Sequence, residues 1–254
     1  MPALLLAVLS VWEVCATPRN AAAVPGDRAW LQASDVVRAG YQPGDLIVFA
    51  PDWVDPTGRL FLGDLIPLDV AGRMDAARYG RIWELSIRDA RAADTAGLTP
   101  VATATVEGIE IRSFARPPVT VVSDVRDALP TARVEGGMRP SLELAEVGYA
   151  PHRCLQIAPS PGRPVRITFP QLALGTSLVG YVGLADVFTR RDIRAPGSLA
   201  VEIAGVQVAS ATAGVDDGWV RFEAPTTPGL ADVTFIASAT APQRLICFAA
   251  EARR

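Results

Sequence analysis

Apolar and polar positions follow two rhythms along this chain, and the rhythm changes near residue 125. In Asp27–Ala39, DRAWLQASDVVRA, the residues Trp30, Ala33, Val36 and Val37 fall on one stripe. That is the spacing of an amphipathic helix, with Asp27 placed to cap it and Gly40 to stop it. Pro43-Gly44-Asp45 then makes a turn, and Leu46–Ala50, LIVFA, is apolar without interruption, as strands buried on both faces are. Helical spacing returns over Asp69–Tyr79, and strand-like segments follow at Ile82–Ile87, Glu107–Phe114 and Val119–Val122. Helix, short turn and buried strand make half of a crossover unit. Residues 27–122 are therefore expected to form a small Rossmann-like α/β domain with a mainly parallel sheet.

Past residue 140 the helical spacing is gone, and Gly and Pro punctuate alternating runs every 8 to 12 residues or so, the signature of a β-sandwich. Strands are expected near Leu142–Val147, Cys154–Ala158, Val165–Phe169, Leu178–Leu184, Leu199–Ile203, Gln207–Ala213, Trp219–Glu223, Val233–Ala237 and Leu245–Ala249. The whole chain thus reads as α+β: an α/β domain over 27–122, a polar linker over 123–140 carrying Pro130 and Gly136-Gly137, and an all-β jelly-roll sandwich over 141–254. A length of 254 residues suits two ordinary domains.

Composition narrows the function classes. A net charge of −3, with the arginines scattered, leaves no footprint for nucleic acid. The sequence contains no lysine, which removes P-loop, Schiff-base and lysine-base chemistry. Ala3–Trp12 is an apolar run followed by Val14-Cys15-Ala16, so residues 1–16 are expected to be a signal peptide or the end of a membrane helix. The run falls short of the roughly 20 residues that cross a bilayer, and no later run is free of Pro, Gly, Asp or Arg. No membrane span is expected in the mature chain, which is placed outside the cytoplasm. Two cysteines would then remain, Cys154 and Cys247, each in a strand-like run; they form either a disulfide or two buried thiols. With one histidine beside them they make no metal set, and neither metal nor cofactor is expected.

Candidate ligand residues gather in three places. Asp52, Trp53, Asp55 and Arg59 follow the buried LIVFA strand, where α/β sheets collect ligands; the alternative is a turn-rich surface loop. Asp217, Trp219 and Arg221 surround a hairpin, where Trp219 is either a sugar platform or a core aromatic. Asp186 and Arg190 lie in a long loop after YVGLAD, at a sandwich end. Asp64, Asp69 and Asp75 with Arg73 and Arg78 read as helix-surface ion pairs, and His152 as structural. No catalytic residue is assigned.

The runs PGDLIVFAP, DWVDPTGRLFLGD, RIWELSI and EGIEIRSF resemble the soluble extracytoplasmic C-terminal portion of bacterial glycosyltransferases of the protein-mannosyltransferase type. The catalytic loop of that group lies outside this sequence, so the resemblance carries over no catalytic residue. The later run SLAVEIAGVQVASATAGVDDGWVRFEAP with ADVTFIAS resembles galactose-binding-like jelly rolls. Together they imply an extracytoplasmic, non-catalytic accessory or binding protein of the bacterial cell envelope, with a glycan or an envelope protein as partner. A detached domain or subunit of a membrane glycosyltransferase and a purely structural envelope protein are the alternatives.

Overall fold

The computed structural model describes residues 2–22, 24–185 and 194–254. Helix α1 (Pro2–Ala22) leaves Leu5, Leu9 and Trp12 exposed. Among the described residues no helix is long and apolar enough to cross a membrane. Helix α2 (Asp27–Gly40) buries Ala29, Trp30, Ala33 and Val37; Gly26 takes the cap position and Asp27 the first turn. Strand β1 (Leu46–Ala50) is buried along its whole length. A 3-10 turn (Asp52–Val54) leads into α3 (Asp55–Leu62), where Gly58 leaves no room for a Cβ because the Phe49 ring lies against it. A four-residue helix α4 (Leu68–Ala71) follows, then β2 (Arg81–Ser86), β3 (Ala102–Val106) and β4 (Ile109–Ala115).

These strands form one sheet in the order β1-β2-β4-β3. Only β1 and β2 run parallel; β2–β4 and β3–β4 are antiparallel. The mainly parallel, Rossmann-like sheet expected from the pattern is therefore replaced by a mixed one. The reason lies in Glu107-Gly108, both at positive φ, which fold residues 102–115 into a hairpin and bring β4 back antiparallel. The short, half-exposed β3 gave no apolar run to betray it.

The remaining strands build a sandwich. One sheet holds β5 (Val121–Asp124), β7 (Ser141–Val147), β8 (Ala150–Ile157), β10 (Ser177–Leu184), β13 (Val220–Pro225) and β15 (Ile246–Arg253). Its path is β13-β10-β15-β8-β7, and β5 also pairs with β15. The other is ordered β12-β11-β14-β9-β6, from β6 (Arg133–Glu135), β9 (Val165–Leu174), β11 (Gly197–Ile203), β12 (Val206–Ala213) and β14 (Gly229–Ala239). Every pairing is antiparallel. From β9 onward the chain crosses repeatedly between sheets, the connectivity that gives jelly-roll sandwiches their closed shape. Between the sheets lie Phe169, Phe235, Phe248, Leu155, Ile167 and Val201, all fully buried. Burial of each contributes about 1.5–3 kcal/mol.

Each of the nine strands expected past residue 140 coincides with an observed one. Residues 123–140 are not a linker. Val125 is fully buried in the sandwich core and β6 pairs with β9. Gly136 and Gly137 are there because a Cβ at either would strike Pro164 or Val165, so these glycines mark a close approach of two chain segments.

The chain divides into two units, one of Met1–Pro67 and Tyr79–Pro118, the other of Leu68–Arg78 and Val119–Arg254. Residues 68–78 thus belong to the sandwich unit, where helical structure stops at Ala71 instead of running to Tyr79.

Candidate functional site

Strands β1 and β2 are parallel neighbours, so their carboxyl ends open on the same side, and the pairing continues one step through the Ile87 N–H, which donates to the Ala50 carbonyl at 3.0 Å. Two loops leave there. After β1 the 3-10 turn buries Val54 and turns Trp53 outward, leaving it 57% exposed beside exposed Asp52. After β2 the exposed pair Arg88-Asp89 takes positive φ values of 57° and 56°, a conformation that costs L side chains free energy and persists only when the surroundings impose it. The two loops meet: the Arg88 guanidinium carbon lies 5.6 Å from the Trp53 ring centroid, within cation–π range. The result is a shelf with a large exposed indole and a guanidinium against it, with exposed Asp52 and Asp89 next to these two residues in sequence.

Asp55 and Arg59 were expected to join this site. They satisfy each other along α3, with Arg59 Nε donating to Asp55 Oδ2 at 2.5 Å and Nη2 to Oδ1 at 3.1 Å. Arg88 and Asp89 were missed in the sequence, where RD after a strand looks like any polar loop; the positive φ values and the meeting with Trp53 are visible only in three dimensions.

The second group of candidates is built into the sandwich. Trp219 is half-buried, its ring stacked on His152 at 4.4 Å between centroids and on Tyr181 at 5.8 Å, and its indole N–H donates to the Met74 carbonyl at 3.1 Å. It packs beside Met74, Val179 and Ala249, and a Cβ at Gly183 would strike Val147 and the Gly218 carbonyl before touching the indole. Of the two readings of Trp219, packing is the one its contacts support. Asp217 caps its hairpin by accepting from the Gly214 N–H at 2.7 Å, and Arg221 pairs with Glu223 at 2.6 Å. Asp186 and Arg190 lie outside the described residues. Cys154 and Cys247 are disulfide-bonded, joining β8 to β15 with Cα atoms 5.5 Å apart.

Residues 68–78 lie on the same face of that sheet, and their charges are spent there instead of along a helix. Asp75 receives two hydrogen bonds from Arg253, both 2.9 Å, and one from the Tyr181 hydroxyl at 3.3 Å. Arg78 donates to Glu251 at 2.8 Å and to Asp124 at 2.5 Å; Arg126 adds bonds to Asp124 at 2.9 and 2.6 Å and to Glu251 at 3.2 Å. Asp69 pairs with Arg153, and Asp64, in the other unit, pairs with Arg38 at 2.6 Å. The helix-surface ion pairs expected from sequence are thus replaced by long-range ones. Burial would raise the Asp75 and Asp124 carboxyls, but the arginines beside them prevail and hold both below the ordinary carboxylate range. Burial, with the Asp75 charge, pushes the Tyr181 hydroxyl up to about 12. Among the described residues no cluster of His, Cys, Asp and Glu is arranged to hold a metal ion.

No protein-family model and no curated protein matches this chain. Solved structures similar to it include CBM51-2 in complex with GlcNAc and INT domains from Clostridium perfringens ZmpB (12% identity, TM-score 0.40, covering 66% of this chain and 42% of that one). The xylan-binding module CBM15 is similar over 53% of this chain and 95% of its own at 11% identity, TM-score 0.32. CBM51 from Clostridium perfringens GH95 in complex with methyl-galactose is similar over 62% and 97%, at 10% identity, TM-score 0.30. The chain spans less than half the length of the first of these. At such scores the likenesses carry no inference about what this chain binds.

Proposed function

We propose that this chain is a non-catalytic, extracytoplasmic glycan-binding protein of the bacterial cell envelope, and that the Trp53 shelf is where it holds sugar. The observation that carries this reading is the exposed indole of Trp53 with the Arg88 guanidinium against it. A pyranose presents an apolar C–H face that stacks on an aromatic ring and a rim of hydroxyls that bond to planar charged groups. An aromatic this exposed on a turn anchored by buried Val54 is already in place to bind, so little ordering is needed on binding. The Cys154–Cys247 disulfide supports placement in an oxidising compartment, as does the apolar N-terminal run. The rival in which Asp52, Asp55 and Arg59 form a sugar-transfer site is weakened by the mutual pairing of Asp55 and Arg59.

The test is calorimetry of the full chain against neutral envelope glycans, with Trp53→Ala as the variant. Loss of a central aromatic anchor should weaken binding roughly 30-fold, or about 2 kcal/mol, while the melting temperature stays put. Absence of heat from every neutral glycan, or equal affinity in the variant, would count against the shelf.

A further inference from the structure

We infer that the sandwich carries a second ligand site, a cleft on the outer end of the β12-β11-β14-β9-β6 sheet, and that it takes a single acidic sugar unit. The cleft has a volume of about 250 Å³ and is lined by Arg163 and Pro164 from the turn before β9, Pro196 and Ser198 from the start of β11, and Ser238 and Thr240 from the end of β14. It shares no residue with the Trp53 shelf and does not depend on it.

The position of each group follows from the backbone. Ser198 and Ser238 are direct partners in the β11–β14 register, so their hydroxyls stand side by side on the sheet's outer face. Ser198 is further steadied by a 3.0 Å hydrogen bond to Thr212 on β12. Arg163 joins the same cleft from a tight turn: its backbone N–H donates to the Ser160 carbonyl at 2.9 Å, and Gly162 supplies the positive φ of 70° that closes the turn. Most other arginines of the sandwich face a carboxylate, as Arg166 does Glu202 and Arg194 does Asp216. Among the described residues no ion pair engages the Arg163 guanidinium, and no acidic residue lines the cleft.

That combination selects a ligand. A guanidinium fork matches a carboxylate bidentately, which sets an acidic sugar above a neutral one. Hydroxyls donate and accept at once, which suits a ring bearing hydroxyls and distinguishes it from a bare carboxylate. The two prolines offer rigid apolar walls for the C–H face of the ring. The volume lies below the roughly 300–1,000 Å³ of sites that enclose drug-sized ligands, a size that suits a single sugar unit.

Calorimetry with glucuronic acid, glucose and acetate, run on the full chain carrying Trp53→Ala so that the shelf contributes no sugar binding, decides the matter. In that chain glucuronic acid should bind at least tenfold more tightly than either of the others. Adding Arg163→Ala should abolish that preference, and adding Ser238→Ala should weaken glucuronic acid binding several-fold. Equal binding of glucose, equal binding of acetate, or an Arg163→Ala variant that binds as the parent does would each overturn the assignment. Because the shelf is removed by Trp53→Ala throughout this test and is itself read by neutral glycans on the chain with Trp53 intact, failure of the shelf and failure of the cleft give different results. All three positions are on the surface, so an unchanged melting temperature confirms that the variants are folded.

Discussion

Asp75 and Asp55 are indistinguishable on paper: each is an aspartate with an arginine three or four residues away, Arg78 and Arg59. In the folded chain Asp55 keeps its local partner, while Asp75 turns to Arg253, which is 178 residues distant in sequence and almost fully buried. The difference is one of free energy. A surface pair at i,i+4 contributes about 0.3–0.5 kcal/mol, because water screens it. Removing one member of a buried pair costs about 3 kcal/mol or more where the other charge is left alone; Arg253 keeps a second partner in buried Glu251 at 2.8 Å, so the loss here is smaller. Urea denaturation at neutral pH should therefore show Asp75→Asn destabilised by about 1–2 kcal/mol and Asp55→Asn by less than about 0.5 kcal/mol; equal shifts would mean that the Asp75 network is not held as described. Sequence spacing reports which charges are near along a helix. It is silent about which ones a sheet 170 residues later will bring alongside, and for that reason the network was not legible.

Strands were readable wherever one face is wet and the other dry, since alternation of side chains records that directly. Strand β9, with Val165, Ile167 and Phe169 buried and Arg166 and Thr168 only partly so, is an instance. Legibility failed where burial does not alternate. Helical spacing over Asp69–Tyr79 did not forecast that helix α4 ends at Ala71 and that Met74 goes into an apolar cluster with Val179 and Ala249 on the sandwich. The direction of a strand is likewise absent from its pattern, so β4 was not seen to return antiparallel. Cross-links between elements fall between these cases: the two cysteines were visible, but their pairing depended on β8 and β15 being neighbours. That disulfide closes a segment of 93 residues, and a long closed loop restricts the unfolded chain strongly. A Cys154→Ala, Cys247→Ala double variant should lose about 2–4 kcal/mol of stability in the sandwich unit, read by chemical denaturation against the oxidised parent. Matching midpoints would rule the bond out as a stabilising element.

At the scale of the molecule, depressed carboxylates occur in both units, and this sets how the whole chain responds to pH. Asp45 accepts hydrogen bonds from Arg81, Trp83 and the Gln42 N–H; burial opposes its ionisation, yet these donors hold its carboxyl below the usual range. Asp75 and Asp124 are held low in the sandwich unit by Arg253 and Arg126. In each case the folded state keeps the carboxylate ionised where the unfolded chain, near the ordinary value of 3.8, would already bind a proton. Stability from these pairs is thus complete above about pH 5 and is lost as pH falls through the lower folded values. Tyr181 acts at the other end. Its folded value of about 12 against an ordinary 10.0 means that the fold prefers the neutral phenol, so its contribution is intact below pH 10 and drains away as pH rises toward 12. Thermal unfolding should accordingly give a plateau between about pH 5 and pH 10 with a fall on either side. Asp75→Asn should flatten part of the acid limb, and Tyr181→Phe should flatten the alkaline limb without moving the acid one. A melting temperature that kept rising as pH dropped below 4 would reverse the sign of the argument, and with it the claim that these arginines neutralise carboxylates in the folded chain.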